Sequence, residues 1–240
     1  MSDDGISYRG GLNEDDVDEA RVEQEFQEEY ADFDALGARS RNVDVDLMRK
    51  ALLNEKGAPE ILPYEALLVK HLKEAVERQQ DLVEEMQRNV RLMMQALVYQ
   101  MELDRVNYLV VEYLRTRLRK IEKYAFFLVK DENMMDLLST AEQKFVRRFA
   151  DLQASHMRKL ALSKMPTVHQ KLGDQNDQVN MIPEPNLDTF VLCRVQEDLG
   201  DVEVDPHNLS EPAHMQTGDL FAIRYRPIKD LVKNGSIALM

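Results

Sequence analysis

The sequence predicts a mainly α protein: an N-terminal all-α bundle domain with long helices, followed by a small β-rich C-terminal domain. Three observations carry this prediction. Residues 90–130 contain neither Gly nor Pro. Upstream, Leu68, Leu72, Val76, Val83, Met86 and Val90 recur at steps near 3.6. Beyond residue 178 the pattern shifts to short β-rich runs separated by Gly-containing turns.

Residues 1–43 hold 13 acidic and 4 basic side chains, a net of −9 out of −13, which leaves −4 for the other 197 residues. This stretch reads as a disordered acidic arm. Phe26, Tyr30, Phe33 and Leu36 lie within it as anchors for a possible docking segment; a purely solubilising tail is the other reading. Asp44 or Asp46 is expected to cap a short helix carrying Leu47, Met48, Leu52 and Leu53. Gly57 ends that helix, and a long helix runs from Pro63 to about Arg88.

The next helix spans roughly 40 residues, or about 60 Å at 1.5 Å per residue. Its first half, from Leu92 to Met101, is apolar nearly all round, which asks for burial on more than one side. Ser139 and Glu142 have capping-box spacing at the head of a further helix. Ala141, Phe145, Phe149, Leu152 and Leu160 form its expected inner stripe, and Pro166 stops it. The domain division is therefore 1–43 arm, 44–166 helical, 167–178 linker and 179–240 β-rich. The expected strands are 188–195, 219–226 and 236–240, with turns at "TGD" and "NG". A domain of about 60 residues buries little of its own surface and leans on a neighbour.

The composition excludes several classes. No apolar run approaches the ~18 residues of a membrane span, and the first residues carry no signal-peptide pattern. The single cysteine, Cys193, permits no internal disulfide, which fits a reducing compartment; it sits in a strand pattern as an inert thiol. No phosphate-binding glycine loop or nucleophile elbow occurs. His207 and His214 are seven apart and lack zinc-site spacing. The expectation is a protein that is no enzyme and holds no metal or cofactor.

The sharpest local feature is "VEYLRTRLRKIEKY", residues 111–124, a basic run in an acidic chain. On a helical wheel with Arg115 at 0°, Leu114, Leu118 and Ile121 fall between about 220° and 320°. Arg115, Arg117, Arg119, Lys120 and Lys123 span about 0° to 200°. Three readings of this basic face stand open: a solvated surface, an interface with an acidic partner helix, or contact with nucleic-acid phosphates.

Five segments together resemble a known family. "LLNEKGAPEIL" (52–62), "MELDRVNYLVVEYLRTRLRKIEKY" (101–124), "LSKMP" (162–166), "MIPEPNLDTFVLCRV" (181–195) and "IRYRPIKDLVKNGSIALM" (223–240) are similar, in order, to the Sld-five subunits of the GINS complex. The resemblance covers about residues 44–240 and excludes the acidic arm. It implies a GINS-like fold and a non-catalytic role in a heterotetramer with Psf-one, Psf-two and Psf-three. That tetramer would join the MCM motor ring and the Cdc-forty-five protein in the replicative CMG helicase, in the nucleus, with DNA contact at most indirect or weak. The helix-first order is similar to Sld-five and Psf-one; 52–62 and 181–195 favour the former. By the same resemblance, Leu114, Leu118 and Ile121 hold the core, and Arg115, Arg117, Lys120 and Lys123 bind acidic groups in the bundle or on a neighbour. Leu97, Met101 and Tyr108, with Phe190, Leu192, Tyr225 and Leu239 in the β region, complete the expected core or subunit-interface set. The alternatives are a nucleic-acid-binding module acting through the basic face of helix 101–130, or a generic helical adaptor docking through its acidic arm.

Overall fold

The computed structural model describes residues 43–167, 170–173, 175–176, 179–203 and 213–240. Helix α1 covers 43–57. Asp44 and Asp46 are thus within its first turns and do not cap it. Met48 and Leu52 point inward, whereas Leu47 and Leu53 are exposed. Helices α2 (Ala66–Gln87) and α3 (Met93–Lys130) follow as a hairpin. Residues 88–92 turn between them, aided by Arg91 N–H donating to Asn89 Oδ1 at 3.1 Å. Val90, expected on the apolar stripe, sits in this turn and is exposed.

Helix α3 has 38 residues and bends at Tyr124, whose backbone leaves helical geometry. A short α4 (Glu132–Asp136) leads to α5 (Thr140–Leu160). The capping box at its head is present in both directions: Glu142 N–H donates to Ser139 Oγ, and Ser139 N–H to Glu142 Oε2. The inner stripe of α5 differs from expectation. Val146 and Ala150 are buried with Glu142, while Leu152 and Leu160 are exposed.

Among the described residues the β region has seven strands, of which β1 (Gln175–Asn176) pairs with β2 (Val179–Asn180) and β4 (Gly200–Val202) with β5 (Ala213–Met215). Its main sheet is antiparallel, in the order β6 (Leu220–Arg224), β3 (Phe190–Val195), β7 (Ile237–Leu239). Tyr225 and Arg226, expected at a strand end, begin helix α6 (Tyr225–Lys233) instead. Gly218 and Gly235 take positive φ in the two turns named by sequence.

Three apolar clusters hold these parts. Met48, Leu52, Val69, Leu72, Val110 and Tyr113 join α1, α2 and α3. Ile121, Leu128, Leu138 and Val146 join α3 to α5. Val191, Cys193, Val195, Ile223, Ile228 and Ile237 fill the space between sheet and α6. The extended segment 58–62 straddles two of them: Ala58 and Leu62 enter the β cluster, and Ile61 the helical one. Asp44–Met240 accordingly forms one compact unit.

Candidate functional site

The basic run on α3 resolves into two populations. Arg117 is fully buried and is the largest side chain so enclosed. Its Nε donates to Glu142 Oε1 at 2.8 Å and one Nη2 hydrogen to Glu142 Oε2 at 3.3 Å. Nη1 donates to Glu55 Oε2 at 3.2 Å and to the Leu62 carbonyl at 2.6 Å; Nη2 also reaches the Leu137 carbonyl at 3.1 Å. All five guanidinium donors are therefore used. The Tyr64 and Tyr113 rings flank the cation at 5.3 and 5.6 Å.

Burial alone would lower the Arg117 pKa, but the bonds to Glu142 and the Glu55 charge outweigh it and hold the guanidinium firmly protonated. Lys120 donates to Glu55 Oε1 at 2.9 Å and to the Glu60 carbonyl at 2.7 Å. Burial pulls its pKa below the ordinary lysine value, against the pull of Glu55. The Glu60 side chain then reaches the β region: it accepts from Tyr225 Oη at 3.1 Å and from Lys229 Nζ at 2.7 Å. Burial and the Glu60 charge push the Tyr225 phenol far up. Arg117, Glu55, Glu142 and Lys120 thus form a buried ionic hub, and Glu60 extends it to α6, its carbonyl accepting from Lys120 and its carboxylate from Tyr225 and Lys229. Two further ties cross the same seam: Leu239 N–H donates to Asn54 Oδ1 at 2.7 Å, and Leu239 packs against Gly57.

Arg115, Arg119 and Lys123 remain exposed. Arg119 lies 3.6 Å from Glu112, and Lys123 sits over the Tyr124 ring. The expectation of a single basic face is therefore corrected, because Arg117 and Lys120 point into the protein. Arg117 falls at about 200° on the wheel, against the apolar sector that starts near 220°. That border position was the available signal. Glu55, Glu60 and Glu142 were not singled out as partners. Their signal was the placing of acids inside "LLNEKGAPEIL" and at a helix cap.

The expected core or interface positions also divide. Ile121, Tyr225 and Leu239 are buried, and Leu114 and Leu118 are half-buried. Leu97 is 48% exposed, Met101 71%, Tyr108 59%, Phe190 66% and Leu192 61%, so none of these five belongs to this chain's own core. They cluster on two uncovered faces. Residues 93–103 of α3 present Met93, Met94, Leu97, Val98 and Met101, while only Ala96 and Leu103 are buried there. In the sheet, Val191, Cys193 and Val195 face α6, and Phe190, Leu192 and Leu220 face out. Arg224 pairs across from Phe190 and stacks on its ring at 5.6 Å. Phe26, Tyr30, Phe33, Leu36 and His207 lie outside the described residues. Among the described residues, no group of three or more His, Cys, Asp or Glu is placed to hold a metal ion. Among the same residues, no helix is long and apolar enough to cross a membrane.

A helical bundle locked to a small sheet, with open apolar area on both, is the architecture of a subunit of a larger protein assembly. Residues 52–161 match the family model described as the GINS complex protein helical bundle domain, and 185–240 match the C-terminus of the DNA replication complex GINS protein SLD5. Curated relatives carry the latter name. The Arabidopsis thaliana protein is 37% identical over 213 residues, covering 88% of this chain and 96% of the relative. The Dictyostelium discoideum protein is 32% identical, covering 88% and 98%, and the Homo sapiens protein 30%, covering 82% and 88%. The chain belongs to the GINS SLD5 family.

Proposed function

We infer that this chain is a non-catalytic structural subunit of the GINS complex, working in DNA replication in the nucleus. The observation that carries the reading is the pair of uncovered apolar faces in a chain of this family. An exposed row such as Met94, Leu97, Val98 and Met101 is costly in water and is suited to a neighbouring chain. In this reading the other three GINS subunits cover those faces, and the assembled complex joins the MCM ring and the Cdc-forty-five protein in the CMG helicase. The arm 1–43, the helical domain 44–166, the linker 167–178 and the β-rich domain 179–240 are its working parts. Burial of Arg117 and Lys120 counts against a nucleic-acid module built on the α3 run.

The test is co-expression with the three other GINS subunits, followed by light scattering. A 1:1:1:1 assembly is expected for the native chain. Changing both Leu97 and Met101 to Glu should leave the fold intact, since both are exposed, yet expel the chain from the assembly. A double variant that still assembles in full would refute the assignment of this face.

A further inference from the structure

Helix α5 carries a surface that neither the hub nor the apolar faces use. Its inward side is Glu142, Val146 and Ala150. On the opposite side lie Lys144, Arg147, Arg148, Arg158 and Lys159, all exposed. At 100° per residue they share a sector about 120° wide, and they extend over about 22 Å. Asp151 is the single carboxylate among them. No ion pair or hydrogen bond engages these five cations among the described residues. Lys144 and Arg148 stand four residues apart, a spacing at which like charges repel. A chain with net charge −13 thus concentrates uncompensated positive charge on one helix face. Leu152 stands beside it, one turn after Arg148, and is 66% exposed.

We propose that this face of α5 docks an acidic, apolar-anchored segment of another protein. Its carboxylates engage the forks of Arg147, Arg148 and Arg158, and an aliphatic or aromatic side chain covers Leu152. Charge complementarity sets the sign of the partner, and Leu152 sets its class. A phosphodiester backbone gains nothing from covering a leucine, and the cationic sector of α5 holds no aromatic ring for a base to stack on.

The test uses the full chain co-purified with its assembly partners. Its probes are a fluorescein-labelled peptide of about 20 residues with Glu and Leu at i, i+4 spacing, the same peptide with Ser for Leu, and single- and double-stranded oligonucleotides of about 20 nucleotides. Fluorescence anisotropy should show the Leu peptide binding, with Arg148→Glu plus Arg158→Glu weakening it by about tenfold or more. Arg148→Gln plus Arg158→Gln should weaken it in the same direction. Leu152→Ala, or Ser for Leu in the peptide, should weaken it about threefold to tenfold without changing its salt dependence. Absent peptide binding, or binding indifferent to both charge variants, overturns the proposal. So does an oligonucleotide that binds more tightly than the peptide and ignores Leu152→Ala, which would make the stripe a nucleic-acid surface.

Discussion

Replacing Arg117 by Met tests the hub most directly. Met nearly matches the aliphatic stem of Arg, so the change removes charge and donors more than volume. Arg117 makes five hydrogen bonds at 2.6–3.3 Å, three of them to carboxylates. Each charged bond is worth about 1.5–3 kcal/mol taken singly. Desolvating the ions offsets much of that sum, so the pair as a whole contributes far less than its bonds. Breaking it is a different matter. Glu55 would keep only Lys120, and the Glu142 carboxylate only the amide of Ser139. Leaving such carboxylates buried costs about 3–5 kcal/mol, against a total stability of about 5–15 kcal/mol for a typical domain. Hydrogen exchange of the chain within its co-purified assembly reads this out. Amides of α3 and of the first turns of α5 should exchange between about a hundredfold and a few thousandfold faster. Adding Glu55→Gln and Glu142→Gln to Arg117→Met should recover part of the loss, since neutral amides carry a smaller desolvation penalty. If Arg117→Met alone exchanged within about fivefold of the native chain, the hub would not be holding the bundle.

Three further outcomes follow from the same seam. Glu60→Ala leaves Tyr225 and Lys229 without their acceptor; it should cost about 2–4 kcal/mol and speed exchange in β3, β6 and β7 more than in α2, and a uniform change would refute the role of Glu60 as the tie. Tyr113 is almost fully buried, and burial raises its phenol from 10.0 to about 12. The unfolded chain therefore loses this proton first, so stability is full below pH 10 and falls as pH rises toward 12, at up to about 1.4 kcal/mol per unit; urea midpoints at pH about 9 and about 11 should lie closer together in Tyr113→Phe. Gly57→Ala would set a Cβ 2.9 Å from Leu239 Cβ; a loss of about 1–3 kcal/mol in urea unfolding is expected, and a neutral result would show that the two segments separate freely.

The sequence by itself determined the helical bundle, the break to β structure, the Ser139–Glu142 cap and the family. Each of these is written in spacing along one element or in a contiguous motif, and local backbone chemistry enforces it. It also held the reason to expect partners, in the all-round apolar stretch 92–101, whose Met94, Leu97 and Met101 remain exposed. What it could not separate was a solvated cation from a buried one. Arg115 and Arg117 are two residues apart on the same helix, yet one faces water and the other meets Glu55 across 62 positions and Glu142 across 25. Tyr225 finds Glu60 across 165. Helical phase tells which way a side chain points, but only the packing of α1, segment 58–62 and α5 around α3 decides what stands there. For a charge, that neighbour decides everything: water screens an exposed guanidinium, whereas a buried one persists only where the tertiary fold has brought carboxylates to balance its charge and an acceptor to each of its donors.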